Sequence, residues 1–339
     1  MIKTGHGCGA ETGIAPQRCQ RGRQALVRDC GEYVAHDRVA SRTRSSRPSA
    51  SKRHGHVRDV LVQVRINAHT CPRGKLEEYP ALPEAGATSG ALPGPAFAEA
   101  IAQVACAVGK DDTLPVLTGI QLRHDQEDGT LTLAATDRYR FAVRTIAWKN
   151  CDLTADCTAL APGKPLLDAV KAVADDTTID LALPDAAGVN GLFTLRTDHS
   201  TTTLRGLEGD LPKYQSLFPT EFNHTATVEI AALKDAVQRV ALVAAKESPL
   251  RLTFAADDTL VLEAGTSDDA QAVDNVDTNL DGDELTVAFN PAFLLDGLNT
   301  LTAESVDFHF TTSTKPAVLR GHGSDEQALR YLLMPIRVS

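Results

Sequence analysis

The stretch from Gly129 to Ile146, GTLTLAATDRYRFAVRTI, carries the clearest structural pattern in the chain. Leu131 and Leu133 stand two apart before a polar interruption, and Phe141 and Val143 two apart after it. That period of two predicts a strand on each side, each offering one face to a core, joined as a hairpin or bent strand pair. The interruption, Thr136 to Arg140, puts two arginines and a tyrosine at a corner expected to be exposed. Such a corner fits a solvated turn and a contact site equally well.

Toward the N-terminus, LPVLTGIQLRHD continues the strand pattern. Before it, AFAEAIAQVACAVGK sets Phe97, Ile101, Val104, Ala105 and Val108 on one helical face. On the other side, CTALAPGKPLLDAVKAV predicts a strand, a turn and a second helix with Leu166, Leu167, Val170 and Val173 inward. TIDLAL, LFTLRT and TTTLRGL then close the unit as strands.

The remaining chain repeats this order. AALKDAVQRVALVAAK, residues 231–246, reads as an amphipathic helix, followed by the strands RLTFAADDTLVLEAG and AQAVDNVDT. LTVAFNPAFLLDGLNTL is strand then helix, and SVDFHFTT, PAVLRG and ALRYLLMPI finish the copy. Laying Ala96 on Ala231 and Thr130 on Thr259 gives offsets of 135 and 129, the mark of a duplication with small loop differences. The expected class is therefore α+β: tandem domains, each with two helices packed on curved antiparallel sheets.

Composition sets the frame. A chain of 339 residues that is 42% hydrophobic can build two or three cored domains. Its formal charge of −10 hides a split: residues 1–75 carry 15 Lys/Arg against 5 Asp/Glu, and the rest is strongly acidic. An acidic body excludes binding to nucleic acid through net charge alone. Seven cysteines, an odd number with no C-x-x-C pair, point to free thiols in a reducing compartment. There is no signal-like apolar region at the N-terminus, and no apolar run approaches the ~18 residues of a membrane span, so a cytoplasmic location is expected.

Within residues 1–75, Leu, Ile, Val and Phe number only 12, and SRTRSSRPSASKRHGHVR is dominated by arginine and serine. The segment reads as disordered or vestigial, with a basic DNA-holding arm or a start assigned too far upstream as alternatives. Cys8, Cys19 and Cys30, with His54 and His56, lack the spacing of a tetrahedral zinc site. The domain reading is 1–75 for this segment, 76–92 for a Pro/Gly/Ala-rich linker, and 93–220 and 221–339 for the two repeats.

Catalytic signatures do not hold up. APGKP at 161–165 sits between strand and helix, as a phosphate loop would, but Thr158 stands in place of the first glycine and Pro165 in place of the Mg²⁺-binding hydroxyl. It is a turn with a helix-starting proline. There is no G-x-S-x-G elbow, and His124, His199, His224, His309 and His322 lack spaced partners. The doublets Asp111/Asp112, Asp175/Asp176, Asp257/Asp258 and Asp268/Asp269 fit turn chemistry better than an acid/base pair.

Four motifs in order make a resemblance specific. TDRYRFAV, LEGDLPKYQSLFP, FNPAFLLDGLNTL and YLLMPIRVS resemble the second and third domains of the bacterial DNA polymerase III β sliding clamp family, across residues 76–339, and LEEYPALP at 76–83 resembles the closing residues of that family's first domain. The resemblance implies a non-catalytic processivity factor without cofactor or metal. It implies a ring of similar domains, chains head to tail, with helices lining a pore around duplex DNA. The expected partners are duplex DNA, the polymerase III catalytic subunit, the clamp loader, other proteins with clamp-binding motifs and further copies of the chain, at the nucleoid and not at a membrane.

On the helices the expected DNA-facing cations are Lys110, Lys164, Lys171, Lys234, Arg239 and Lys246. They are dilute: Asp168 and Asp235 share those faces, and the helix at 291–301 has no cation. The partner-peptide pocket, carried over by motif, comprises Leu117, Thr136, Arg138, Tyr139, Arg140 and Phe141 from the first repeat. Pro212 and Leu217 join it from the connector, with Met334, Pro335, Ile336 and Arg337 from the C-terminus. Leu117, Phe141, Leu217, Met334 and Ile336 are expected to form an apolar floor for Leu/Phe anchors, with Thr136 and the arginines holding peptide carbonyls.

Three departures stand out. Arg138 replaces the family's common Gly, Tyr139 its His, and Ser216 a basic residue. The first domain that completes the family's ring is not recognisable in residues 1–75. A degenerate clamp that binds peptides without closing a ring, a three-chain ring of six domains, and a ligand binder or enzyme on a reused scaffold remain as alternatives.

Overall fold

The computed structural model describes residues 86–171, 178–184, 191–198, 200–219, 221–242, 248–265, 271–325 and 327–337, with the backbone of 26–28 and 32–36. Strands β1 (Leu26–Arg28) and β2 (Glu32–His36) pair antiparallel. The remainder of residues 1–85 lies outside the described residues.

The first module runs β3 (Gly90–Pro93), α1 (Gly94–Ala105), β4 (Gly119–Asp125), β5 (Thr130–Thr136), β6 (Arg140–Ala147), β7 (Asn150–Cys151), β8 (Cys157–Pro162), α2 (Gly163–Val170), β9 (Thr178–Ala182), β10 (Leu192–Arg196) and β11 (Thr201–Arg205). The second runs β12 (His224–Glu229), α3 (Ile230–Ala241), β13 (Leu250–Phe254), β14 (Thr259–Ala264), β15 (Ala272–Asp281), β16 (Leu285–Phe289), α4 (Pro291–Thr300), β17 (Ser305–Phe310), β18 (Ala317–Gly321) and β19 (Arg330–Leu333). The orders coincide, the single long β15 standing where the first module has β6 and β7. The duplication read from the offsets is thus a structural one, α1 and α3 both being 12 residues long.

Every strand pair is antiparallel, so each strand keeps one face for a core. In β14 buried Leu260, Leu262 and Ala264 alternate with half-exposed neighbours, and in β17 Val306, Phe308 and Phe310 do the same. Helices close the other side. Phe97, Ile101 and Val104 of α1 and Leu233, Val237 and Val240 of α3 are fully buried, the three-and-four spacing that turns one stripe inward. Leu166 and Val170 of α2 are buried too; Leu167 and Val108 are only half-buried, and Val173 lies outside the described residues. Each such buried side chain contributes about 1.5–3 kcal/mol relative to exposure.

One sheet of 12 strands spans both modules, in the order β16-β13-β14-β15-β12-β17-β18-β19-β6-β5-β4-β8. The modules join inside it through β19 and β6, with Arg330 opposite Val143 and Leu333 opposite Arg140. The second sheet has 7 strands, β1-β2-β11-β10-β9-β3-β7. No helix among the described residues is long and apolar enough to cross a membrane.

Local chemistry fixes α4, the helix that carries Phe293 and Asp296 to the junction of the modules. Asn290 caps it, its Oδ1 accepting from the backbone N–H of Ala292 at 2.9 Å and of Phe293 at 3.3 Å, and Pro291 fills the first position. α2 likewise begins at Gly163 rather than at Pro165, leaving the proline within the first turn, where its missing N–H is not needed.

Candidate functional site

Where β6 meets β19, a second apolar cluster forms apart from the main core. Ala134, Phe141, Val143, Leu160, Leu211, Tyr214 and Leu332 are its buried members, and Val116, Leu117, Leu207, Phe218 and Met334 pack half-exposed against it. Residues of both modules and of the connector between them contribute. Phe141 lies 4.9 Å from Tyr214 and 6.3 Å edge-on from Phe218, ring centre to ring centre. Met334 is placed by its backbone N–H, which donates to the carbonyl of Tyr139 at 2.9 Å, extending the strand ladder past its end.

The connector folds this way because its short turns are hydrogen-bonded at both ends. The Leu207 N–H donates to the Leu160 carbonyl at 2.8 Å, and the Leu217 N–H to the Tyr214 carbonyl at 2.8 Å. Leu211 and Tyr214 then turn inward, while Pro212 and Leu217 stay exposed.

Of the residues expected to line a peptide pocket, the structure brings Leu117, Phe141 and Met334 into this cluster. Leu217 and Ile336 are 37% and 38% exposed and are not members of the cluster. Pro335 is half-buried and Arg337 exposed. Val116, Leu207, Leu211, Tyr214, Phe218 and Leu332 were missed by sequence reasoning. For Leu332 the signal was there, in the strand period of ALRYLLMPI; for the connector residues no period exists to read.

The corner at 136–140 differs most from expectation. Thr136 and Arg140 are buried, not exposed. The Thr136 hydroxyl donates to the Arg140 carbonyl at 2.7 Å and accepts from the Arg138 N–H at 3.2 Å, closing the turn. Arg138 and Tyr139 alone project, Arg138 with φ of +82° and Tyr139 56% exposed and stacked on Phe293 of α4 at 6.0 Å.

Arg140 is only 3% exposed. Its Nε donates to Asp137 at 2.9 Å and its Nη1 to Asp296 at 2.6 Å, with the guanidinium 4.4 Å over the Phe293 ring. Burial opposes its charge, but Tyr331, Asp296 and Asp137 outweigh it and raise the guanidinium pKa. Burial also raises the Tyr331 hydroxyl, which donates to the Phe293 carbonyl at 2.8 Å. Nearby Cys106 is pushed by burial up to about 12.

The expected DNA-facing cations stand on separate elements. Lys164 is exposed on α2, Lys171 just beyond it lies 3.6 Å from Asp168, and Lys234 is half-buried on α3. Arg239 donates to Asp274 at 2.8 Å. Lys110 does not end α1, which stops at Ala105; the chain turns away where the Gly109 N–H meets the Leu117 carbonyl. Lys246 lies outside the described residues. Among the described residues no group of three or more His, Cys, Asp or Glu could hold a metal ion.

Comparison with known proteins agrees with this architecture. Residues 91–213 match the family model of the DNA polymerase III beta subunit, central domain, and residues 215–337 that of its C-terminal domain. The beta sliding clamp of Streptomyces coelicolor is 48% identical over 307 residues, covering 88% of this chain and 79% of that protein. That span is longer than residues 76–339, so it takes in part of the N-terminal segment. The beta sliding clamp homolog GriR of Streptomyces muensis is 41% identical, over 82% of this chain and 74% of that protein.

Among solved structures, the beta subunit of Streptococcus pyogenes DNA polymerase superposes with a TM-score of 0.72 at 24% identity, over 80% of this chain and 71% of that one. A Pseudomonas aeruginosa sliding clamp bound to griselimycin does so with a TM-score of 0.70 at 22% identity, over 78% and 70%. Two domain models matching the two modules in order, and a relative at nearly half identity, leave one assignment: the chain belongs to the DNA polymerase III beta subunit family, the beta sliding clamps.

Proposed function

We propose that this chain is a non-catalytic sliding clamp subunit that holds replication proteins on duplex DNA. Residues 93–220 and 221–339 act as two clamp domains after a linker at 76–92, and their helix layer faces the DNA at the nucleoid. The groove between them takes short apolar segments of the polymerase catalytic subunit, the clamp loader and other clamp-binding proteins. One observation carries the reading: an apolar floor shared by both modules, Phe141 with Tyr214 and Leu332, is bordered by half-exposed Leu117, Phe218 and Met334. An apolar floor with adaptable methionine and aromatic walls fits Leu/Phe anchors of a peptide.

A fluorescein-labelled peptide of about nine residues ending in Leu-Phe tests it by anisotropy. Phe141→Ala should weaken binding by about tenfold or more, the usual size of a buried aromatic anchor's contribution. Unchanged affinity would remove the groove assignment.

A second reading is favoured by β2. β11 is the first module's counterpart of β19, and β19 is the strand through which one module joins the next. The outer edge of β11 is taken by β2, Thr202 opposite His36 and Thr203 opposite Ala35. A clamp capped there binds partner peptides without closing a ring. Sedimentation distinguishes the two: a ring requires an oligomer at micromolar concentration, a capped clamp a monomer.

A further inference from the structure

Arg140 stands beside the apolar cluster, buried and with its guanidinium engaged by protein groups. Its Nε and Nη1 are directed at Asp137 and Asp296, and one ring face of Phe293 covers the guanidinium. Asp296 and Phe293 belong to α4 in the second module, whereas Asp137 lies in the turn after β5 and Arg140 opens β6 in the first. Tyr331, which opposes Ala142 in the inter-module ladder, donates to the Phe293 carbonyl and lies 3.4 Å from Nη1. A third inter-module contact joins the helices directly, Gln103 of α1 donating to the Thr300 carbonyl of α4 at 3.3 Å.

Besides the apolar cluster they share, the modules are attached along two lines. The β6–β19 ladder is one, a row of hydrogen bonds about which the modules could still rotate. The Arg140 cluster on the helix side is the other, and it removes that freedom. We infer that Arg140 is a positioning residue that sets the width of the peptide groove by clasping Asp296, and is not itself a ligand of the peptide. Phe141 follows Arg140 directly, and Met334 hangs from the carbonyl of Tyr139, so the floor at Phe141 and its border at Met334 both move with the clasped turn. Asp296 lies on a helix outside the apolar cluster of the groove, and the hydrogen bond it makes to the corner is the one from Arg140 Nη1.

The inference rests on the peptide reading above, and the two can fail separately. The probe is the fluorescein-labelled Leu-Phe peptide on the full chain, with wild type, Asp296→Asn, Asp296→Glu, Arg140→Gln, the double variant Asp296→Asn/Arg140→Gln, and Phe141→Ala. Asp296→Asn and Arg140→Gln should each weaken the peptide by about three- to tenfold, and the double variant no more than the weaker-binding single, because both cut the same link. Asp296→Glu keeps the carboxylate and should recover most of the affinity. A loss in Asp296→Asn without a matching fall in denaturation midpoint separates positioning from general destabilisation. Wild-type affinity in Asp296→Asn overturns the inference even if Arg140→Gln does not fold, as do additive losses in the double variant. Undiminished binding in Phe141→Ala defeats the groove reading instead.

Discussion

Gly297 of α4 lies directly beneath the ring of Tyr331: a β-carbon there would stand 2.5 Å from Cε1 and 2.6 Å from Cδ1. The ring cannot retreat, because it is fully buried and its hydroxyl is engaged with the Phe293 carbonyl. The close approach of helix and strand is what brings Asp296 within reach of Arg140.

Gly297→Ala should therefore destabilise the chain despite the better helix propensity of alanine. Overpacking of a filled core costs about 1–3 kcal/mol, against roughly 1 kcal/mol gained in propensity. Urea denaturation followed by circular dichroism reads the balance, and a midpoint equal to or above wild type would show that the ring yields.

Cys106 should be a slow thiol in the folded chain. Only the thiolate reacts with iodoacetamide, and burial that pushes the thiol up to about 12 leaves little of it at neutral pH. Alkylation at pH 8, located by mass spectrometry, should be at least about a hundredfold slower than in the urea-unfolded chain. Equal rates would mean that the site between α1 and α4 opens freely.

His309 gives acid sensitivity of predictable sign. Its ring stacks 4.8 Å from Phe222 with Thr225 at 3.2 Å, and burial lowers its pKa, Asp307 opposing and Arg320 reinforcing. The unfolded chain then binds the proton more readily than the folded one. Stability contributed by the neutral ring is present above the unfolded pKa, about 6.5, and is lost as pH falls through it toward the lower folded value. His309→Gln should flatten the fall in denaturation midpoint between about pH 7 and 5; an unaltered slope would assign that fall to other groups.

Much of this was legible in the sequence, and what was not has a physical reason. The hairpin at 129–146 and the paired helices follow from periods of two and of three to four, which are local. The burial of Arg140 is not local: its partner Asp296 is 156 positions away, and nothing near TDRYRFAV signals that the arginine turns inward. The connector shows the same limit. Leu211 and Tyr214 are buried in the apolar cluster while Leu217 stays exposed, because turn hydrogen bonds, not periodicity, orient that segment.

Arg239 of α3 is held by Asp274 of β15, and that pair restrains one of the cations expected to meet DNA. The Arg239 hydrogen bond lowers the Asp274 carboxyl pKa, so the pair resists acid below the usual carboxylate range. Asp274→Asn should free the guanidinium. Duplex binding measured from about 50 to 200 mM salt should then show a log–log slope steeper by up to about 0.9, one added phosphate contact. An identical slope would place Arg239 away from the DNA.

Arg138 occupies backbone conformation that favours glycine, with φ of +82°, and is exposed at the turn before β6. A side chain there costs roughly 1 kcal/mol, and the surrounding turn, held by Thr136 and Asp137, sustains it. Its guanidinium lies 5.9 Å over the Tyr139 ring, and its charge helps keep Asp111 below the usual carboxylate range, after the two hydrogen bonds from Thr113. With Arg140 already occupied by two carboxylates, Arg138 is the arginine of this corner that a peptide can meet. Arg138→Gly should therefore do two opposite things. It should raise stability by about 0.5–1 kcal/mol by relieving the strain, and it should weaken a peptide with an acidic residue beside its Leu-Phe anchor by about two- to fivefold while sparing a neutral one. Equal losses for both peptides would show that the arginine reads no charge, and lower stability would show that its stacking on Tyr139 outweighs the strain.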